Sequence, residues 1–274
     1  MPFLETSAGV NIHYEDYGQG RPIVLIHGWA GSGLLWRFQR ELAENFRLII
    51  PDLRGHGRSS GSPESFTLEG LVVDIISLFD KLNLADAVLV GWSLGSQAAM
   101  ATFPRLRRRL AGLVLVGGTA RFTATEGYPQ GLPADEVRGM GLRLKRGHER
   151  TMGEFFRSMF AEGELSPETE GRIDREIMAE GRLTEPAIAQ AGLSLLATAD
   201  LREMLPSIDL PVLLIHGDSD TICPPAAARY LAGRLPKARL LEYAGVGHAP
   251  PLSRPGEFNA HLSEFLKETV NGRL

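Results

Sequence analysis

Five short apolar runs constrain the fold of this 274-residue chain more than any other feature. They are Pro22-Ile23-Val24-Leu25-Ile26, Leu48-Ile49-Ile50, Ala87-Val88-Leu89-Val90, Leu113-Val114-Leu115-Val116 and Val212-Leu213-Leu214-Ile215. A strand wetted on one side alternates apolar and polar residues, whereas one buried on both faces reads as a continuous run. Helical patterns lie between the runs. Over 67–82, Thr67 stands at the start, Glu69 falls in the first turn, and Leu71, Ile75, Leu78, Phe79 and Leu82 recur with helical period. Parallel strands need long crossover connections, usually helices that cover the faces of the sheet. The sequence therefore predicts an α/β fold, a mostly parallel central sheet with helices on both faces. Residues 2–6 and 10–17 flank Ser7-Ala8-Gly9 and predict a hairpin. A last strand is expected over 238–243 and a helix over 256–268.

The alternation stops between about 120 and 205. That stretch has no buried-strand run, is charged and helical in pattern, and is punctuated by Gly127, Pro129, Gly131, Pro133, Gly163 and Pro167. The expected organisation is a core of residues 1–119 and 206–274 with a helical cap, 120–205, inserted as one unit. Such an insertion sits at the carboxyl ends of the strands, where open sheets bind ligands.

Composition excludes several classes. With 29 Lys and Arg against 33 Asp and Glu, the net charge is −4, a poor match to nucleic acid. Cys223 is the only cysteine, so no internal disulfide can form. No basic region followed by an apolar core opens the chain, and no segment reads as a bilayer span. A cytoplasmic protein with no membrane partner is the expectation, and a monomer is expected.

Gly91-Trp92-Ser93-Leu94-Gly95 fits G-x-S-x-G, with a buried strand before it and the small-residue stretch Gln97-Ala98-Ala99-Met100-Ala101 after it. A serine on a sharp strand-to-helix turn projects its hydroxyl above the sheet as a nucleophile. The bland alternative is an ordinary Gly-Ser turn, which the strand and helix context disfavours. Oxyanion donors are then needed, one from the residue after the nucleophile and one from an earlier loop. Leu94 and Trp29 supply them, Trp29 in His27-Gly28-Trp29 directly after the strand 22–26. His27 shapes that loop by hydrogen bonding. The general base should come last in chain order. His248 lies in the loop Gly245-Val246-Gly247-His248-Ala249-Pro250, whereas His216 ends a strand, His261 sits in a helical pattern and His148 lies in the insertion. The orienting carboxylate should follow the strand 212–216. Asp220, further along that loop, is preferred over Asp218, which suits a turn-holding role; the two roles could be exchanged. Gly55-His56-Gly57-Arg58-Ser59-Ser60 approaches a dinucleotide fingerprint but ends in Ser, and is read as structural. No Cys/His cluster suggests a metal, and no cofactor is expected.

In order along almost the whole chain, His27-Gly28-Trp29, Asp52-Leu53-Arg54-Gly55-His56-Gly57-Arg58-Ser59, Gly91-Trp92-Ser93-Leu94-Gly95, His216-Gly217-Asp218-Ser219-Asp220 and Gly247-His248-Ala249-Pro250 resemble the α/β-hydrolase superfamily. In that pattern the last aspartate is the catalytic one, which supports Asp220. Within it, the chain is similar to the pimeloyl-[acyl-carrier protein] methyl ester esterases of biotin synthesis. That likeness rests on the serine motif, Ala199-Asp200-Leu201-Arg202, Asp220 near Pro224, and His248-Ala249-Pro250 followed by Pro255, Glu257 and Phe258. Ser96 departs from it, standing where a second glycine is usual.

The resemblance implies substrate contacts at Trp29, Ser93, Leu94, His248 and the cap residues Phe156, Arg157, Ser158, Met159 and Phe160. It also implies a serine carboxylesterase acting through an acyl-enzyme on a small-molecule or carrier-protein-linked methyl ester, with acyl carrier protein as partner. A general carboxylesterase, a lactonase, a perhydrolase-type esterase and a carbon–carbon bond hydrolase share the triad. A slow-turnover ligand receptor on the same fold is the reading from another class. Arg143, Arg146, Arg150 and Arg157 recur at helical offsets opposite Leu144, Met152, Phe155, Phe156 and Met159, so one basic helix face is expected to meet an acidic carrier and the apolar face to line the pocket. A merely solvated charged face is the alternative, and Gly147 and Gly153 weaken a single unbroken helix.

Overall fold

The computed structural model describes residues 2–270, and one eight-stranded sheet lies at its centre. The strands are β1 (Phe3–Glu5), β2 (Asn11–Tyr17), β3 (Pro22–Ile26), β4 (Arg47–Pro51), β5 (Ala87–Trp92), β6 (Leu110–Val116), β7 (Val212–Gly217) and β8 (Ala238–Tyr243). They are ordered β1-β2-β4-β3-β5-β6-β7-β8 across the sheet. The predicted hairpin forms, with β1 and β2 antiparallel and β2 antiparallel to β4. From β4 to β8 all neighbours are parallel. The side chains of 23–26, 48–50, 87–90, 113–116 and 212–215 are buried. Removing each Val, Leu or Ile of these runs from water contributes about 1.5–3 kcal/mol, and this offsets the entropy of ordering the central strands.

The α-helices are α1 (Leu68–Lys81), α2 (Leu94–Leu106), α3 (Ala134–Arg146), α4 (His148–Ser158), α5 (Pro167–Ile173), α6 (Pro186–Thr198), α7 (Pro225–Ala232), α8 (Pro250–Ser253) and α9 (Pro255–Val270). α1 starts as its sequence predicts: the Thr67 hydroxyl oxygen accepts the Gly70 N–H at 3.0 Å, and Leu71, Ile75, Leu78 and Phe79 are buried. Helices α3 to α6 fall between β6 and β7, and among the described residues that segment holds isolated bridges but no strand.

One expectation for that segment fails. Residues 143–157 are not one helix, because Gly147 (φ −166°, ψ 80°) breaks the chain between α3 and α4. Arg143 and Arg146 ride on α3, Arg150 and Arg157 on α4, and all four are exposed. Glycine at an exposed position costs about 1 kcal/mol of helix propensity, and no packing opposes the break.

Parallel register carries the chemistry to one edge. Ile26 pairs with Gly91, Trp92 with Val116, Val116 with Ile215 and Gly217 with Tyr243. The loops that leave β3, β5, β6, β7 and β8 therefore emerge side by side.

Candidate active site

Ser93 follows the last residue of β5 and has φ 56°, ψ −115°, a conformation that side-chain-bearing residues rarely adopt. Three hydrogen bonds hold it there. The Ser93 N–H donates to the Val116 carbonyl at 2.8 Å, and the Ser93 carbonyl accepts the Ser96 N–H at 2.9 Å and the Ser96 hydroxyl at 2.6 Å. The two glycines of the motif are required by contact. A Cβ at Gly91 would collide with the Gly95 carbonyl, and one at Gly95 with the Ile26 carbonyl. At Gly28 a Cβ would stand 3.2 Å from the Ser93 Cβ, so the loop carrying Trp29 lies against the serine. Leu94, next to Ser93, is the first residue of α2, whose N-terminus favours negative charge, and Trp29 lines the same small cavity as Ser93.

On the far side stands His248. Its Nδ1 lies 2.7 Å from Asp220 Oδ2, while Asp220 Oδ1 accepts the Ile222 and Cys223 N–H groups at 2.8 Å each. With Nδ1–H given to the carboxylate, the lone pair of His248 is on Nε2. Among the described residues no protein group takes that nitrogen. Ser93 and His248 line one small cavity together with Gly28, Trp29, Leu35, Trp92, Phe155 and Met159. Asp218 serves elsewhere, accepting the Gly245 N–H at 2.8 Å and the Ser219 hydroxyl at 2.9 Å, which ties the loops after β7 and β8.

Three neighbours make contacts at the site that the sequence reading did not assign. His216 Nε2 lies 2.7 Å from the Cys223 carbonyl and 3.2 Å from Asp220 Oδ2, so two imidazoles face one carboxylate. Burial alone would raise the Asp220 pKa, but His248 and His216 outweigh it and hold the group well below the usual carboxylate range. Glu164, from the loop between α4 and α5, accepts the Gly247 N–H at 2.8 Å and the Ala161 N–H at 2.6 Å. The adjacent His248 N–H donates to the Met159 carbonyl at 2.6 Å, so the helical segment grips the histidine loop directly. Cys223 is buried beside the site, and burial, reinforced by Asp220, pushes its thiol pKa well up. Spacing marked none of these, because each acts through a contact between segments distant in sequence.

The earlier histidines are structural. His27 Nδ1–H donates to the Gly28 carbonyl at 2.8 Å, and its Nε2 accepts the Leu53 N–H at 2.9 Å. His56 Nδ1–H donates to the Arg54 carbonyl at 2.9 Å, and its Nε2 accepts the Ala30 N–H at 3.2 Å. Burial and the neighbouring His27 push the His56 pKa down to about 3; burial also lowers that of His27. Neutral rings thus brace the Trp29 loop. The 55–60 stretch joins this brace through Asp52, which accepts the Gly33 and Arg58 N–H groups at 2.7 and 3.0 Å.

A larger cavity of about 280 Å3 adjoins the small one and shares Trp29, Leu35, Phe155 and Met159 with it. Of the predicted cap contacts, Phe156 and Met159 line it. Arg157 and Ser158 are exposed, the Ser158 hydroxyl donating to the Phe155 carbonyl, while Arg157 and Phe160 line an adjoining groove that shares Gly153, Phe156 and Met178 with this cavity. Phe155, expected on the pocket-lining apolar face, reaches the serine cavity and meets Trp29 edge-on with ring centroids 4.8 Å apart. Among the described residues no cluster of His, Cys, Asp and Glu has the geometry of a metal site, and no helix is long and apolar enough to cross a membrane. A serine hydroxyl and an imidazole with a vacant lone pair in one cavity, with a carboxylate on the imidazole's other nitrogen, form an arrangement suited to acyl transfer.

Comparison with known proteins places these residues in context. The α/β hydrolase fold family matches residues 21–255. The pimeloyl-[acyl-carrier protein] methyl ester esterase of Nitrosospira multiformis is 32% identical over 94% of this chain and 99% of its own length. That of Nitrosomonas europaea is 35% identical over 90% of this chain and 96% of its own. Among solved structures, an esterase from Exiguobacterium antarcticum superposes with a TM-score of 0.89 at 26% identity, covering 97% of this chain and 98% of that one.

Proposed function

The chain belongs to the α/β-hydrolase fold family, and we propose that it is a serine carboxylesterase whose substrate is a methyl ester of an acyl chain carried on acyl carrier protein. One observation carries the reading: Ser93, on its strained turn, shares a cavity with a His248 Nε2 that no structural bond consumes, while Asp220 holds the opposite nitrogen. His248 takes the Ser93 proton as the hydroxyl oxygen attacks the ester carbonyl. Asp220 fixes the tautomer and stabilises the imidazolium. The amides of Trp29 and Leu94 receive the oxyanion, each worth about 2.7–4 kcal/mol by analogy with measured donors. The imidazolium then protonates the departing alkoxide, methanol leaves, and a water activated by His248 releases the acid from the acyl-enzyme. The segment 120–205 acts as a cap, with Phe155 and Met159 roofing the serine and Phe156 and Met152 lining the acyl path.

The methyl ester and the carrier come from the names of the relatives; the triad serves a general small-ester esterase equally well. The test compares pimeloyl-carrier methyl ester with short p-nitrophenyl esters. A kcat/KM at least about tenfold higher on the carrier-linked ester supports the proposal. A preference for the short esters assigns the protein to small-ester hydrolysis.

A further inference from the structure

Beyond the apolar cavity the structure holds a third one, of about 230 Å3, between β2, the loop and helical turn that follow β3, the end of β4 with the loop after it, and the segment Glu180–Arg182. It shares Ser32, Leu34, Gly181 and Arg182 with the apolar cavity, which in turn shares Trp29 and Met159 with the serine cavity. The three form a series: reacting serine, apolar stretch, polar end.

The polar end is rich in cations. Arg37, Arg40, Arg58 and Arg182 all line it, in a chain whose net charge is −4. Glu15, Asp52 and Glu180 are its acids. Two of these are already occupied. Arg40 lies 2.6 Å from Glu15, and Asp52 receives the His13 ring at 2.9 Å besides two backbone N–H groups. Arg37 is held only loosely, 3.6 Å from Glu176, and among the described residues Arg182 meets no carboxylate. His13 lines the cavity as well, its Nδ1 held by Asp52 at 2.9 Å. Arginines lining a concave site suit the oxygens of a carboxylate or phosphate.

We propose that this polar cavity is an anion subsite that receives a carboxylate or phosphate at the far end of the ester substrate, the apolar chain between lying in the middle cavity. The inference takes from the esterase reading that the ligand is an ester. A carboxylate would belong to a free dicarboxylic monoester, a phosphate to the arm of a carrier-linked one.

Binding is measured by calorimetry on the Ser93→Ala protein, which keeps ligands intact. Three methyl esters of equal chain length are compared, ending in a carboxylate, a phosphate or a neutral amide. The expected result is an anion-ended ester bound about tenfold tighter than the amide, a preference that shrinks with salt and falls to near parity in Arg182→Gln/Arg37→Gln. The larger of the two anionic preferences identifies the source. Equal affinity for all three esters overturns the proposal, as does a preference that the arginine substitutions leave intact. Turnover of the same esters by the unaltered protein is scored separately, so failure of the esterase reading is distinct from failure of the subsite.

Discussion

Asp220 and Asp218 lie two residues apart in one loop yet meet different partners, His248 Nδ1 for the first and the Gly245 amide for the second. Asp220→Asn offers His248 an amide where the carboxylate was, which disturbs its tautomer and should lower kcat by about 10^4-fold, as in the serine-protease case. Asp218→Asn keeps an acceptor for Gly245 and should cost far less. Steady-state kinetics on both folded variants decide, and a larger loss for Asp218→Asn would exchange the roles. That Ser93, His248 and Asp220 would come together was legible in the sequence because each is tied to a strand end in a fixed chain order. His216 was read as structural only. Its contact with Asp220 depends on the loop folding back so that the Cys223 carbonyl and the carboxylate reach one ring, and no spacing reports that.

At the scale of elements, apolar runs and capping signals specified β3 to β8 and α1 well, because buried strands and amphipathic helices impose periodicities of their own. The segment between β6 and β7 was legible as helical with a pocket-lining face that includes Met152, Phe155, Phe156 and Met159, but its grip on the histidine loop was not legible. Which side chains roof the serine depends on the break at Gly147, which sets the direction of α4 and brings Phe155 and Met159, rather than Arg157 and Ser158, over the site. The grip of this segment on the histidine loop makes a specific prediction. Glu164→Ala frees the Gly247 and Ala161 amides. It should lower kcat by about ten- to a hundredfold with little change in KM, because a small displacement of the base is enough. Glu164→Gln, which retains an acceptor oxygen, should recover part of the loss. Unchanged kcat in Glu164→Ala would show that the Met159 carbonyl alone holds the loop.

Across the whole molecule, stability should depend on two buried neutral imidazoles. His56 titrates at 6.5 when unfolded and at about 3 when folded, and His27 is shifted the same way. Below pH 6.5 the unfolded chain therefore binds protons that the folded chain refuses. Folding stability should rise with pH from about 3 to 6.5, by up to about 1.4 kcal/mol per pH unit from His56, with His27 contributing in the same direction, and gain nothing from them above that window. Denaturant titrations at a series of pH values check this, with a shallower slope expected for His56→Gln; equal slopes would contradict the assignment. The account's central claim is that the assembled molecule works through an acyl group on Ser93. The most direct measurement is intact-protein and peptide mass spectrometry after rapid acid quench of the protein with a reactive ester. The account predicts a mass increase of one acyl group, mapped to the peptide containing Ser93 and absent from Ser93→Ala, together with a loss of turnover of at least about a thousandfold in that variant. Turnover retained by Ser93→Ala, or an acyl group mapped to another residue, would contradict it.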